Sequence, residues 1–231
     1  MELSIDTSTA VCGVAVSRQG ETIAERAWRT DLNHTKQLFT TIEAVMKEAG
    51  ATMGELKAII VAAGPGSFSG LRVGVSAAKG FAASLSVPLA GVNTMAIEAA
   101  PHAATGLPIC VILDAGRNEL AIGTYRAVAG ELRESGAATI LTTDALCDSI
   151  REQTLFCGEH LPAAQERLAE RLGPLAVFPQ DPGAMRQPRH LALLGWRTLA
   201  AGEASDPATL QPIYLRAPSI TAPKPAPTVR P

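Results

Sequence analysis

The 231-residue sequence is short of charge: Asp, Glu, Lys and Arg together make up 18% of it, against about 25% in an ordinary soluble domain. Part of the surface must then be built from small or apolar groups, which points to a partner that covers it. The net charge is −2 and there is no dense run of Lys or Arg. A strong independent grip on nucleic acid is thereby excluded, because such binding is driven by clustered cations that release counterions from phosphates. The four cysteines, Cys12, Cys110, Cys147 and Cys157, show no C-x-x-C pairing. The opening MELSIDTST lacks the basic start and apolar core of a signal peptide, and no apolar run approaches the ~20 residues needed to cross a bilayer. The expectation is a reduced, cytoplasmic protein with no membrane segment. His34, His102, His160 and His190 lie far apart and read as ordinary surface or structural histidines.

Standard nucleotide motifs are missing as well. The stretch AAGPGSFSGLR, residues 62–72, carries three glycines between an apolar run and a helical pattern, the composition of a loop that cradles an anion at a helix N-terminus. Yet neither Gly64 nor Gly66 has a glycine five positions on, and Gly64, Gly66 and Gly70 space as G-x-G-x-x-x-G, so both the Walker and the dinucleotide fingerprints fail. The next acid after the loop is Glu98, too far to hold a ribose. Gly66-Ser67-Phe68-Ser69-Gly70 is not G-x-S-x-G and no histidine is near in sequence, so a peptidase or esterase reading is weak. The loop reads as a tight corner that starts a helix.

What is present is an apolar share of 47%, enough to bury a sizeable core. Short strands are expected at the start, at 11–17 and over ETIAERAW. A helix follows from an Asn33 N-cap to Gly50, with Leu38, Ile42, Val45 and Ala49 on one stripe. A buried strand at 57–63, a helix from about Gly70 to Ser86 ended by Pro88, and a strand at LAGVN complete the first half. The segment ICVILDAGRNELAIGTYRAVAGELRES, 109–135, then repeats the opening at an offset of about 108 residues: an apolar strand runs into Asp114 as it does into Asp6, and a Gly-Glu pair marks the next hairpin. Such self-similarity indicates an internal duplication of a mixed-sheet unit. Short and longer helices are expected at TDALCDSI, QERLAERLG and HLALLGWRTLAAG, and a strand at TLFCGEH. The predicted division is 1–103, 104–216 and a tail, 217–231, with five prolines in fifteen residues that is expected to be disordered.

SIDTST, AAGPGSFSGLRVGVSAAKGFA, LDAGRNEL and PIYLR together resemble the TsaB (YeaZ) family, accessory subunits in the bacterial formation of threonylcarbamoyladenosine in tRNA, over residues 1 to about 216. The resemblance implies an α/β fold, the duplicated actin-like or sugar-kinase (ribonuclease-H-like) architecture with two similar mixed-sheet subdomains. It also implies a non-catalytic scaffold that pairs with the catalytic paralogue TsaD, is joined by the ATPase subunit TsaE, forms a homodimer when alone and meets tRNA only indirectly. No cofactor of its own is expected; ATP and metal belong to the partner subunits. In the catalytic paralogue a histidine pair holds a metal, and the equivalent positions here are Thr94 and Glu98, a poor set for a transition metal. Asp6, Thr7, Ser8, Thr9, Asp114 and Gly116 stand where the superfamily meets phosphates and magnesium. They form either a vestigial nucleotide cleft or hairpins closed by turn aspartates. An independent small-molecule kinase or ATPase is the alternative function.

On the helix after the glycine loop, Leu71, Val75, Ala78, Ala82 and Leu85 make one apolar stripe and Gly74, Ala77, Phe81 and Ser84 a second side of mostly small residues. A helix-interior glycine costs roughly 1 kcal/mol, so Gly74 and Gly80 call for close contact with another helix. The expected partner face comprises Phe39, Met46, Arg72, Gly74, Ala77 and Phe81, with Lys36 and Glu43 at its rim.

Overall fold

The computed structural model describes residues 1–30 and 34–216. The Asn33 cap and the proline-rich tail lie outside the described residues. In the first half, β1 (Glu2–Asp6), β2 (Val11–Arg18), β3 (Glu21–Arg29), α1 (His34–Glu48), β4 (Ala58–Gly64), α2 (Phe68–Leu85), β5 (Leu89–Asn93) and α3 (Thr94–Ala99) follow in order. The second half repeats the series with β6 (Ile109–Asp114), β7 (Leu120–Val128), β8 (Glu131–Leu141), α4 (Thr143–Ser149), β9 (Thr154–Cys157), α5 (Leu161–Leu172), β10 (Ala176–Val177) and α6 (Pro188–Ala200).

Each half builds a five-stranded sheet, β3-β2-β1-β4-β5 and β8-β7-β6-β9-β10. In each, the first two pairings are antiparallel and the next is parallel: β1 runs against β2 and along β4, as β6 runs against β7 and along β9. Identical order and direction establish the duplicated α/β actin-like fold, and β1 and β6 both end in the aspartates that mark the sequence repeat.

Strands β1 and β4 are buried along their whole length, as parallel strands covered on both faces are. Alternation sorts their side chains. Ile59 and Val61 face Leu38, Ile42 and Val45 of α1 and Val75, Ala78 and Ala82 of α2. Ile60 and Ala62 face Leu191, which α6 brings from the second half of the chain. In return, Met95 and Ala99 of α3 pack under the second sheet against Val111, Leu113, Ala121 and Tyr125. Each half thus lends its last helix to the other, so the division at 103/104 separates two sheets rather than two self-contained units.

Close backbone approach makes this exchange possible. A Cβ on Gly195 of α6 would lie 2.2 Å from Ile60 Cγ2, and one on Gly13 of β2 would lie 2.5 Å from Pro188 Cγ. Gly195→Ala is expected to destabilise the protein by about 1–3 kcal/mol through overpacking against the buried Ile60, despite a gain of ~1 kcal/mol in helix propensity. A lowered urea midpoint with an unchanged m-value would show it.

Two elements differ from the sequence expectation. Helix α2 begins at Phe68 rather than Gly70, because the Ser67 side chain accepts a hydrogen bond from Gly70 N and caps it there. Helix α3 and the two-residue β10 were not expected: α3 is a single short segment capped by Asn93, whose side chain accepts from Met95 N at 2.8 Å, and neither is long enough to show a period.

Candidate functional site: the cleft between the halves and the α1–α2 face

The two Asp-bearing hairpins face a cleft of about 540 Å³ whose walls include Thr9, Gly66, Ser67, Asp114, Glu159 and Arg216. Asp6 is buried and is not among the residues that line this cleft. One of its oxygens, Oδ1, accepts from Ser8 N at 2.9 Å and from Ser8 Oγ at 2.7 Å, the turn role expected for it. The other, Oδ2, accepts from Arg186 Nε at 2.7 Å. Arg186 reaches in from the segment between β10 and α6, with a side chain only 1% exposed. Its Nη1 donates to Glu98 Oε1 at 2.7 Å, and its Nη2 donates to Thr9 Oγ1, Val11 O and Ser8 Oγ at 2.9, 3.0 and 3.1 Å.

Burial works against charge on this guanidinium, but Asp6 and Glu98 more than offset it and hold its pKa above the ordinary arginine value. Burial likewise pushes the Glu98 carboxyl up, with Arg186 pulling it back. Glu159, on the loop after β9, places Oε1 3.7 Å from Arg29 Nη1 and Oε2 3.9 Å from Arg186 Nη1.

Asp114 is exposed and closes its hairpin by accepting from Gly116 N at 2.7 Å, with Gly116 at φ +71. Thr7 Oγ1 donates to Gly70 O at 2.6 Å. The glycine loop is clamped to the same hairpin: Ser67 N donates to Ser8 O at 2.6 Å, and a Cβ on Gly66 would fall 2.0 Å from that oxygen. On its far side, Gly64 adopts φ +109, and its Cβ would meet Ile213 O at 2.5 Å. These glycines therefore serve close approach to the chain's own backbone. The segment 205–216 runs past them as a strap, with Ile213 N donating to Ala63 O at 2.7 Å and Arg216 pairing with Glu119.

A magnesium–phosphate group needs hard oxygen ligands arranged almost octahedrally. Both oxygens of Asp6 are engaged, one of them by a cation; of the carboxylates that line the cleft, Glu159 faces Arg29 and Arg186 and Asp114 is a single exposed carboxylate. The residues of the cleft do not fit a metal-bound nucleotide. Thr94 Oγ1 is buried without a hydrogen-bond partner, and Glu98 is taken by Arg186.

The partner face needs correction at two positions. Met46 is 6% exposed and belongs to the core beneath α1 and α2. Gly74 is buried too, and its Cβ would lie 2.4 Å from Thr7 Oγ1: the close contact it permits is with the β1–β2 hairpin of the same chain. Phe39 remains, at 48% exposure, its ring 6.2 Å from that of Phe81. Ala77 and Phe81 are partly buried, and a Cβ on Gly80 would meet nothing within 4 Å. Glu43 is exposed beside them; the Lys36 side chain lies outside the described residues. Arg72 is exposed and stacks 3.8 Å over the Phe68 ring.

Arg186 is the residue of this site that sequence reasoning missed. It sits in DPGAMRQPRH, a stretch without motif or period, and its partner Asp6 is 180 residues away. The histidines hold a second surprise: His102 lies close enough to His190 to disfavour its charge. Burial lowers both pKa values below 6.5, and Arg189 lowers that of His190 further. As pH falls through 6.5 the unfolded chain takes up protons that these imidazoles resist, so the stability they contribute is present above 6.5 and lost below it. The melting temperature of His102→Gln/His190→Gln is expected to fall less between pH 7 and pH 5 than that of the unsubstituted chain.

Comparison with known proteins places the chain among relatives. The family model described as TsaD, tRNA N6-adenosine threonylcarbamoyltransferase, matches residues 27–218. The tRNA threonylcarbamoyladenosine biosynthesis protein TsaB of Bacillus subtilis is 29% identical over 218 residues, 93% of each chain. The protein of the same name from Haemophilus influenzae is 37% identical over 123 residues, 51% of this chain and 50% of its own. The solved structure of YeaZ from Pseudomonas aeruginosa superposes with a TM-score of 0.79 at 24% identity, covering 93% of this chain and 99% of that one.

Proposed function

We propose a function from the premise that this chain belongs to the threonylcarbamoyltransferase (TsaD) family, in its TsaB (YeaZ) branch: it takes part in threonylcarbamoyladenosine formation in tRNA as a non-catalytic subunit that pairs with the catalytic paralogue TsaD. The observation that carries the reading is the Arg186 ion pair, which commits the hairpin acid Asp6 and the α3 acid Glu98 to an internal partner. With that acid engaged and the glycine loop held against Ser8, the residues that elsewhere in the superfamily meet phosphate and metal serve folding. ATP and metal belong to the partner subunits, TsaE joins through the assembled pair, and tRNA meets this chain indirectly, in the cytoplasm. Among the described residues no helix is long and apolar enough to cross a membrane.

The α1–α2 face supplies the pairing surface. Phe39 projects from it, Phe81 and Ala77 flank it, and the open side of Gly80 admits a second helix at the short end of the usual 8–10 Å spacing. Two helices of 15 and 18 residues are long enough to bury the ~800 Å² per partner typical of a stable complex. The same face pairs two copies when the chain is alone. Charged substitution at Phe39 with co-purification against TsaD tests the reading.

The alternative, an independent kinase or ATPase, has in its favour the size of the cleft, which falls in the range of small-molecule sites. It requires an Asp6 free to hold magnesium, which Arg186 denies. A peptidase would need an activated Ser67, whose hydroxyl instead accepts from Gly70 N as a helix cap.

A further inference from the structure

We propose that Arg186 is a built-in cation: its guanidinium holds, from within the chain, the place that a divalent cation would take among the carboxylates of Asp6, Glu98 and Glu159. The proposal rests on the reading of the cleft as non-catalytic, and it explains how a fold with acids at that position keeps them without a ligand.

Three carboxylates converge here from three separate elements: the end of β1, helix α3 and the loop after β9. Their oxygens lie 2.7, 2.7 and 3.9 Å from the guanidinium nitrogens. Without a positive charge between them, these carboxylates would repel one another and resist ionisation, as Glu159 and Asp6 already push the Glu98 carboxyl up. The donor set is all oxygen, the chemistry that magnesium, calcium and manganese select over softer metals. Arginine is the side chain suited to replace such an ion, because its charge is permanent and its planar fork addresses two carboxylates at once.

The match is incomplete in an informative way. Glu159 Oε2 is buried and has no hydrogen-bond partner, so Arg186 reaches it only at long range. Thr94, one helical turn before Glu98 and so on the same face of α3, also leaves its buried hydroxyl unpartnered. A planar guanidinium bonded to Asp6 and Glu98 does not turn a donor toward Glu159 Oε2 as well, whereas an ion with its water shell engages ligands in every direction. The chain delivers Arg186 by seating Pro188, two residues on, directly against Gly13 of β2. As the acids stand around the guanidinium, no group of three His, Cys, Asp or Glu residues among the described ones is placed to hold a metal, so a divalent ion would have to draw them together.

The test uses the full-length chain alone, so its failure is distinct from any failure of pairing with TsaD. Arg186→Ala is prepared and its melting temperature is followed against millimolar ethylguanidinium, and separately against Mg²⁺ and Mn²⁺, with Mn²⁺ binding read by calorimetry. The expected result is a lowered melting temperature that either ethylguanidinium or the divalent ions raise, with saturable one-to-one Mn²⁺ binding that the unsubstituted chain lacks and that Arg186→Ala/Glu98→Gln loses at least tenfold. Rescue by ethylguanidinium but not by divalent ions overturns the proposal. So does equal Mn²⁺ affinity in the unsubstituted chain. If the variant refolds in none of these cations, the proposal also falls, because an ion able to take the place would restore the fold.

Discussion

Arg186→Ala is expected to destabilise the protein by about 3–5 kcal/mol, the cost of breaking a buried ion pair by removing one partner, and so to lower the melting temperature by about 10 °C in a chain of this size. The magnitude follows from what stays behind. Asp6 and Glu98 are 3% and 9% exposed, and each would lose a hydrogen bond to a charged donor while still excluded from water. Three further acceptors, Ser8 Oγ, Thr9 Oγ1 and Val11 O, would lose a donor with them. Arg186→Lys is expected to recover only part of the loss, since an ammonium is a point charge that cannot present donors to Asp6, Glu98 and Val11 together. Urea unfolding of the three proteins at one pH measures the order. Removing both charges in Arg186→Met/Glu98→Gln should cost less than the sum of the single changes, because the orphaned carboxylate is the larger part of the penalty.

The second large effect is on association. Phe39→Asp is expected to weaken pairing with TsaD by about 2–4 kcal/mol, roughly 30- to 1,000-fold in Kd, while the monomer's melting temperature changes little. Aromatic side chains near the centre of an interface dominate its affinity, and a carboxylate there must be desolvated without a partner. Fold is spared because Phe39 is already 48% exposed, is not part of the buried core beneath α1, and has its ring 6.2 Å from that of Phe81. Substitutions at Met46 or Gly74 would not separate the two effects: the first empties the core beneath α1, and the second drives an atom into Thr7. Surface plasmon resonance with TsaD, alongside thermal unfolding of the variant alone, reads both quantities.

The duplicated architecture was legible because it is written in local pattern. Aspartates 108 residues apart close equivalent hairpins, and apolar alternation marks both leading strand pairs. The glycine loop was legible as a corner from its spacing alone; what the spacing could not show is that Gly66 and Gly64 each make room for a different piece of the chain, Ser8 and Ile213. The same blindness explains the two errors on α2 and α1. A helical wheel shows that Gly74 and Met46 are on faces that pack, but not whether the neighbour is a second protein or the β1–β2 hairpin of the same one. The exchange of α3 and α6 between halves has no local signal either, since each helix is satisfied by contacts from the other half of the sequence. Arg186 is the extreme case, a lone cation in an irregular loop whose meaning arises from Asp6, Glu98 and Glu159 only once the chain has folded.

The central claim is that this cleft supports a partner's chemistry without performing its own. Calorimetric titration of the purified chain with ATP and Mg²⁺, first alone and then with TsaD, tests it most directly. The account predicts no saturable heat and no nucleotide turnover from the chain alone, with binding appearing only when TsaD is present. Stoichiometric Mg²⁺-dependent ATP binding, or hydrolysis, by this chain unaided would contradict it.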